Sequence, residues 1–164
     1  MKRKCIQQMI KLAYTDVMTG TLNRNAYECR LNTLRKESAD LRDITVIAVD
    51  INDLKKLNDT YGHQTGDEAL KTVAEFLLTS IGERAEVYRI GGDEFVCIAF
   101  GKMGGYISEF KDLIGFRNKE VPYTLEVSVG YKPYDDSFES IDALINHCDK
   151  LMYEDKKHSR QEQI

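Results

Sequence analysis

An antiparallel sheet carrying helices on one face, the split βαβ or ferredoxin-like form of the α+β class, is what this sequence predicts, on three observations. Ile44–Ile51 (ITVIAVDI) is a near-continuous apolar run, the look of a buried central strand. Residues 86–90 and 94–100 are short apolar-rich runs around Gly91-Gly92-Asp93, a hairpin signal. From Ile44 onward the periods alternate as β-α-β-β-α-β, followed by one further helix.

Residues 3–15 read as a helix, because Ile6, Met9, Ile10 and Ala13 fall on one face. A turn-rich stretch over 15–25 precedes a predicted helix over 26–42. Beyond the central strand, residues 52–67 are polar and hold two glycines, so they read as loop or short helix. The next helix is expected over 66–80, burying Ala69, Leu70, Val73, Ala74, Leu77 and Leu78. A short helix is expected over 103–116. Residues 124–131 read as a strand with Leu125, Val127 and Val129 alternating against Glu126 and Ser128, and a last helix runs from about 140 to 158. This architecture hosts many unrelated activities, so function must be read from sites.

Composition narrows the classes. The 164 residues suit one domain, and 42% are hydrophobic, enough to bury about two-thirds of the surface that the unfolded chain exposes. No run of ~18 apolar residues occurs, and the basic residues at 2–4 are not followed by a signal-peptide core, which predicts neither a membrane span nor secretion. Cys5, Cys29, Cys97 and Cys148 form no CxxC pair and read as free thiols of a cytoplasmic protein. With 23 Lys+Arg against 27 Asp+Glu the net charge is −4, which argues against a sequence-independent grip on nucleic acid. A small polyanion remains open to it, provided a metal ion carries the opposing charge.

Asp50 ends the apolar strand, and an acid placed there must find a partner. Asp93 and Glu94 sit in the hairpin turn. Because the first strand and this hairpin are central neighbours in a split βαβ sheet, Asp50 and Asp93 are expected to converge. Paired carboxylates repel unless a hard cation such as Mg²⁺ lies between them, and two such ions can clamp a phosphoryl group. Alternatively, Asp93 and Glu94 are solvated turn residues. Gly91 and Gly92 either supply φ > 0 in the turn or leave room for a ligand.

The string RIGGDEFVCI (89–98) resembles the signature of the GGDEF family, the diguanylate cyclases that condense two GTP into cyclic di-GMP. Three further blocks follow the family's order. DVMTGTLNR (16–24) is similar to its D-x-L-T-G-L-x-N-R turn. DINDLKKLNDTYGHQTGD (50–67) is similar to its D-[IV]-[DN]-x-[FL]-K-x-[IL]-N-D-x-x-G-H-x-x-G-D block. Ser128–Gly130 with DKLMYEDKKHSR (149–160) is similar to its S-[IV]-G strand and last helix. The resemblance spans 16–160 and implies a nucleotidyl-cyclase, polymerase-palm-like domain over 15–164. Residues 1–14 are then a linker helix, the stub of an upstream sensory region or else a helix packed on this domain.

The resemblance also implies roles. Asp50, Asp93 and the Ile51 carbonyl correspond to the family's metal ligands, for two Mg²⁺ or Mn²⁺ per GTP. Asp93 and Glu94 correspond to its catalytic acids. Asn58 and Asp67 correspond to the pair reading the guanine edge, which offers an N1–H and a 2-amino group that adenine lacks. Lys156 and Arg160 correspond to the triphosphate cations, joined by backbone amides of Asn52, Asp53 and Leu54. Met18 replaces a leucine lining the guanine pocket. Lys55 matches a family lysine whose part stays open, and His63 a loop residue. Asp16 and Arg89 are expected to pair.

Thr21, Cys148, Asp155 and Ser159 depart from the family pattern. The family's inhibitory R-x-x-D product site falls on Gly82 and Ala85, so no product inhibition is expected there. Catalysis would need two chains facing each other, a homodimer of half-sites. The alternative is a catalytically silent GTP-binding module that regulates an attached domain. A relaxed cyclase making mixed products is disfavoured by Asp67, and a nucleic-acid polymerase by the missing basic surface.

Overall fold

The computed structural model describes residues 9, 12–36 and 41–161, the side chain of Arg160 excepted. The elements are α1 (Arg24–Lys36), a 3-10 turn (Leu41–Asp43), β1 (Ile44–Ile51), α2 (Leu54–Tyr61), α3 (His63–Ile81), β2 (Ala85–Arg89), β3 (Glu94–Phe100), α4 (Gly104–Arg117), β4 (Val127–Pro133) and α5 (Ile141–Gln161). The sheet order is β2-β3-β1-β4. Every neighbouring pair is antiparallel. This is the expected α+β split βαβ sheet, with β1 and β3 at its centre.

Helices cover both faces of the sheet, not one. Ile47, Val49 and Ile51 point into a core with Leu70, Val73 and Leu77 of α3 and Ile107 and Phe110 of α4. Val46 and Ala48 point into a second core with Tyr27, Leu31 and Leu34 of α1 and Ile141, Leu144 and Cys148 of α5. Successive side chains of a strand face opposite ways, so a strand covered on both faces is apolar throughout. All eight residues of β1 are buried accordingly.

Several boundaries differ from the sequence reading. Helix α1 starts at Arg24, where the Asn23 side chain caps the Ala26 amide at 3.1 Å, and ends at Lys36 rather than 42. The polar stretch 52–67 holds two helical segments divided at Gly62, whose φ of +89° breaks the helix, so α3 begins at His63 rather than 66. His63 is therefore helical, not a loop residue. Leu78 faces solvent at 41% exposure instead of joining the core. Strand β4 begins at Val127 because the backbone of Leu125 is engaged by the Asn118 side chain, at 2.7 and 2.8 Å. Ser128, read as outward-facing, is buried because α5 covers that face. Of the N-terminal face, Ile6 and Ile10 lie outside the described residues, while Met9, Leu12 and Ala13 are exposed.

Helix α5 lies directly on β4. A Cβ on Gly130 would fall 2.1 Å from the Cys148 carbonyl oxygen and 2.3 Å from the Met152 nitrogen, so only glycine lets the two backbones meet. The Asp155 carboxylate accepts the Val129 amide at 2.8 Å and pairs with Lys111 of α4 at 3.3 Å. These contacts set where the end of α5 stands above the sheet.

Candidate active site

One end of the β1/β3 pair gathers the signature acids. Asp50 is opposite Glu94 on β3 and Ser128 on β4. The Ile51 amide donates to the Asp93 carbonyl at 3.1 Å, tying the end of β1 to the hairpin turn. Asp50 is 6% exposed. The partner that burial demands is Lys156 of α5, whose Nζ lies 2.5 Å from Asp50 Oδ1. Partial burial pushes the Glu94 carboxyl above the usual carboxylate range, and the charges of Asp93, Asp50 and Asp149 add to this while Lys156 opposes it. Burial likewise raises the carboxyl of Asp149 on α5, an acid of this group to which the sequence reading gave no role.

The glycines of the turn are explained by space. Positive φ among the described glycines occurs at Gly20, Gly62 and Gly101, so neither Gly91 nor Gly92 is left-handed, and the φ > 0 reading fails. A Cβ on Gly91 would stand 2.7 Å from Glu94 Oε2, while Gly92 faces open space. Two arginines hold the turn through its carbonyls: Arg89 donates to Gly92 at 2.7 Å and Arg24 to Ile90 at 3.3 Å. Arg89 also makes the expected pair with Asp16, at 3.3 Å. Desolvation pushes the Asp16 carboxyl up, but the Thr19 hydroxyl and amide together with Arg89 outweigh it and hold it low. Met18 rests against the same guanidinium, its sulfur 3.5 Å from Arg89 Nη1. Thr21, where the family has leucine, is buried and shares a 2.9 Å hydroxyl contact with Thr19.

The turn after β1 is strained. Asp53 is left-handed at φ 51° and ψ 33° without capping α2 through its side chain. A left-handed residue before a helix turns successive backbone N–H groups toward one concave spot that favours anions. The Asn52 amide is engaged by the Glu126 carbonyl at 2.9 Å, and Asn52 Oδ1 accepts the Ser128 hydroxyl at 2.8 Å. The Asn52 amide and side-chain oxygen are thus committed within the protein and brace the turn that Asp53 and Leu54 complete. Sequence spacing could not assign that division.

Asn58 and Asp67 come together where α2 meets α3. The Asn58 side chain lies over Gly66, where a Cβ would fall 1.8 Å from Asn58 Oδ1. That oxygen is buried with no hydrogen-bond partner among the described residues. Asp67 follows Gly66 directly. Arg160 lies one helical turn beyond Lys156 on α5, its side chain outside the described residues. A cleft of about 530 Å³ adjoins the turn after β1, its lining including Asn52, Asp53, Lys56, Leu57, Tyr61 and Glu126 but not Asn58.

Among the described residues no three His, Cys, Asp or Glu side chains form a ready metal cage. The donor set of Asp50, Asp93 and the Ile51 carbonyl is oxygen throughout. That chemistry suits Mg²⁺ or Mn²⁺, since Mg²⁺ usually takes one or two carboxylates and completes its shell with water and substrate phosphate. The residues present fit such an ion.

The family profile described as Diguanylate cyclase, GGDEF domain matches residues 13–162. Diguanylate cyclase DgcS of Shewanella oneidensis is 30% identical over 158 residues, which cover 94% of this chain and 53% of that protein. Cyclic di-GMP phosphodiesterase PdeR of Escherichia coli is 29% identical over 167 residues, covering 97% of this chain and 25% of that one. The coiled coil and GGDEF domain of DgcB from Caulobacter crescentus, solved in complex with c-di-GMP, shares the fold. Its TM-score is 0.81 at 24% identity, over 95% of this chain and 87% of that one. The chain thus spans about half the length of DgcS and a quarter of PdeR. With the profile covering the sheet, the signature hairpin and the last helix, this chain belongs to the GGDEF-domain family of diguanylate cyclases.

Proposed function

We propose that the domain is a diguanylate cyclase half-site, binding one GTP with Mg²⁺ or Mn²⁺ and acting with a second copy of itself. The observation that carries this reading is the convergence of Asp50, Asp93 and Glu94 at one sheet end, within reach of Lys156. A domain kept only for docking has no need to hold coupled acids together against their repulsion.

In this reading Asn58 and Asp67 accept the N1–H and 2-amino protons of guanine, and Met18 packs at the rim of that pocket. The Asp53–Leu54 turn cradles phosphate oxygens, while Lys156 and Arg160 neutralise the triphosphate. Asp50, Asp93 and the Ile51 carbonyl would hold the metal, two ions per GTP, which would supply neutralisation of charge on the phosphates. The 3′-oxygen of one GTP attacks the α-phosphorus of the other. An O–P bond forms, the α–β bridge breaks, and pyrophosphate departs. A repeat in the opposite sense closes cyclic di-GMP and releases the second pyrophosphate. Asp93 receives the 3′-hydroxyl proton as general base, with Glu94 the adjoining acid that assists the metal site. Positioning and electrostatics carry most of the acceleration.

The catalytic species is a homodimer, and a sensory region upstream controls pairing in the cytoplasm. No helix among the described residues is long and apolar enough to cross a membrane. Incubation with GTP and Mg²⁺, with mass spectrometry of the products, tests the reading. Cyclic di-GMP and pyrophosphate in a 1:2 ratio are expected. GTP binding without turnover would favour the silent module instead.

A further inference from the structure

Asp50 has two claimants. Its side chain is 8% exposed and that of Lys156 is 21% exposed, with the ammonium 2.5 Å from Oδ1. Lys156 thus stands where a cation bound to that carboxylate oxygen would stand. Metal–oxygen bonds to Mg²⁺ are about 2.0–2.1 Å, so an ion on the same oxygen would lie roughly 4–5 Å from the ammonium at most. Two cations that close, away from bulk water, repel strongly.

We propose that Lys156 is a stand-in cation for Asp50, displaced when metal binds, and that the nucleotide triphosphate is what draws it away. This rests on the reading of Asp50 as a metal ligand and Lys156 as a triphosphate contact. Metal and nucleotide then bind with positive coupling, and each raises the affinity of the other by the same factor.

The local build supports such a motion. Helix α5 is pinned to β4 by the close approach at Gly130 and by Asp155, which takes the Val129 amide at 2.8 Å and Lys111 at 3.3 Å. The backbone carrying Lys156 is therefore fixed from the residue before it. The lysine's four-carbon stem is the part left to swing. In the metal-free protein the ammonium offsets charge at the buried end of β1.

The test is a calorimetric titration of Mn²⁺ at about pH 8, above the carboxylate range, first without nucleotide. Lys156→Met should bind Mn²⁺ about tenfold more tightly than wild type, while Lys156→Arg stays close to wild type. A non-hydrolysable GTP analogue, whose phosphates also ligate Mn²⁺, should tighten Mn²⁺ binding by a larger factor in wild type than in Lys156→Met, and equal factors would overturn the proposal. Thermal melts establish that each variant is folded, and Lys156→Gln serves as a second neutral variant. Mn²⁺ affinity in both neutral variants equal to or below wild type overturns the proposal. Asp50→Asn distinguishes the deeper failure. If it binds Mn²⁺ as wild type does, the metal assignment itself falls, and the coupling with it.

Discussion

At the scale of single residues, the site is a set of polar groups held in states that folding alone would not choose. Asn58 buries an acceptor with no partner among the described residues, at a cost a purely structural residue would avoid. Replacing it with leucine should leave the melting temperature unchanged or raised. Weakened GTP binding, by about 1–3 kcal/mol in titration calorimetry, should accompany this. Glu94 gives a pH-dependent counterpart. Its affinity for protons is raised in the folded state, so the folded chain holds more protons than the unfolded one between the ordinary glutamate range and that raised value. Stability attributable to this group is accordingly lost as pH rises through that window. Glu94→Gln should melt higher than wild type near pH 7.5, and the gain should vanish near pH 4, about where free glutamate titrates. A gain of equal size at both pH values would contradict the repulsion described for the acids.

At the scale of elements, the decisive contact is between α5 and β4. Gly130→Ala would force a methyl group to within 2.1 Å of one backbone oxygen of α5 and 2.3 Å of a backbone nitrogen. Neither atom can rotate away, so a loss of about 3 kcal/mol or more in urea unfolding is expected, together with weaker nucleotide binding as Lys156 is carried off the sheet. The elements also show what was legible in the chain. Ile44–Ile51 declared itself because both of its faces are covered, which leaves no polar alternation to confuse it with a surface strand. That same apolar run was evidence for helices on both sides of the sheet, although the element order alone suggested one. The break at Gly62 was missed because the many polar residues around it masked the helical spacing of Leu54, Leu57 and Tyr61, of which the two leucines pack on the core. The start of β4 was hidden because Asn118, just past the end of α4 in the same connection, takes the Leu125 backbone out of the ladder. At the site, side-chain types were readable from their blocks. What could not be read was which group already has a partner: Asn52 engaged by Glu126 and Ser128, Asp50 by Lys156, and Gly91 shaped by Glu94.

At the scale of the whole molecule, the described residues gather the signature acids at one sheet end, while the proposed reaction joins two nucleotides. Initial rates should therefore rise with the square of protein concentration at high dilution and become linear once pairing saturates, as stopped-time product assays would show. Linearity down to the lowest concentrations would mean that one chain suffices. The acidic balance of −4 gains meaning from this arrangement, because acids meet at the end of β1 while the cations that answer them stand on α5. Asp93→Ala, prepared beside wild type and shown by its melt to be folded, puts the central claim to the most direct test. Given GTP and Mg²⁺, wild type should yield cyclic di-GMP by mass spectrometry, and the variant should yield none while still binding GTP. Cyclic di-GMP formed by the variant at the wild-type rate would contradict the account.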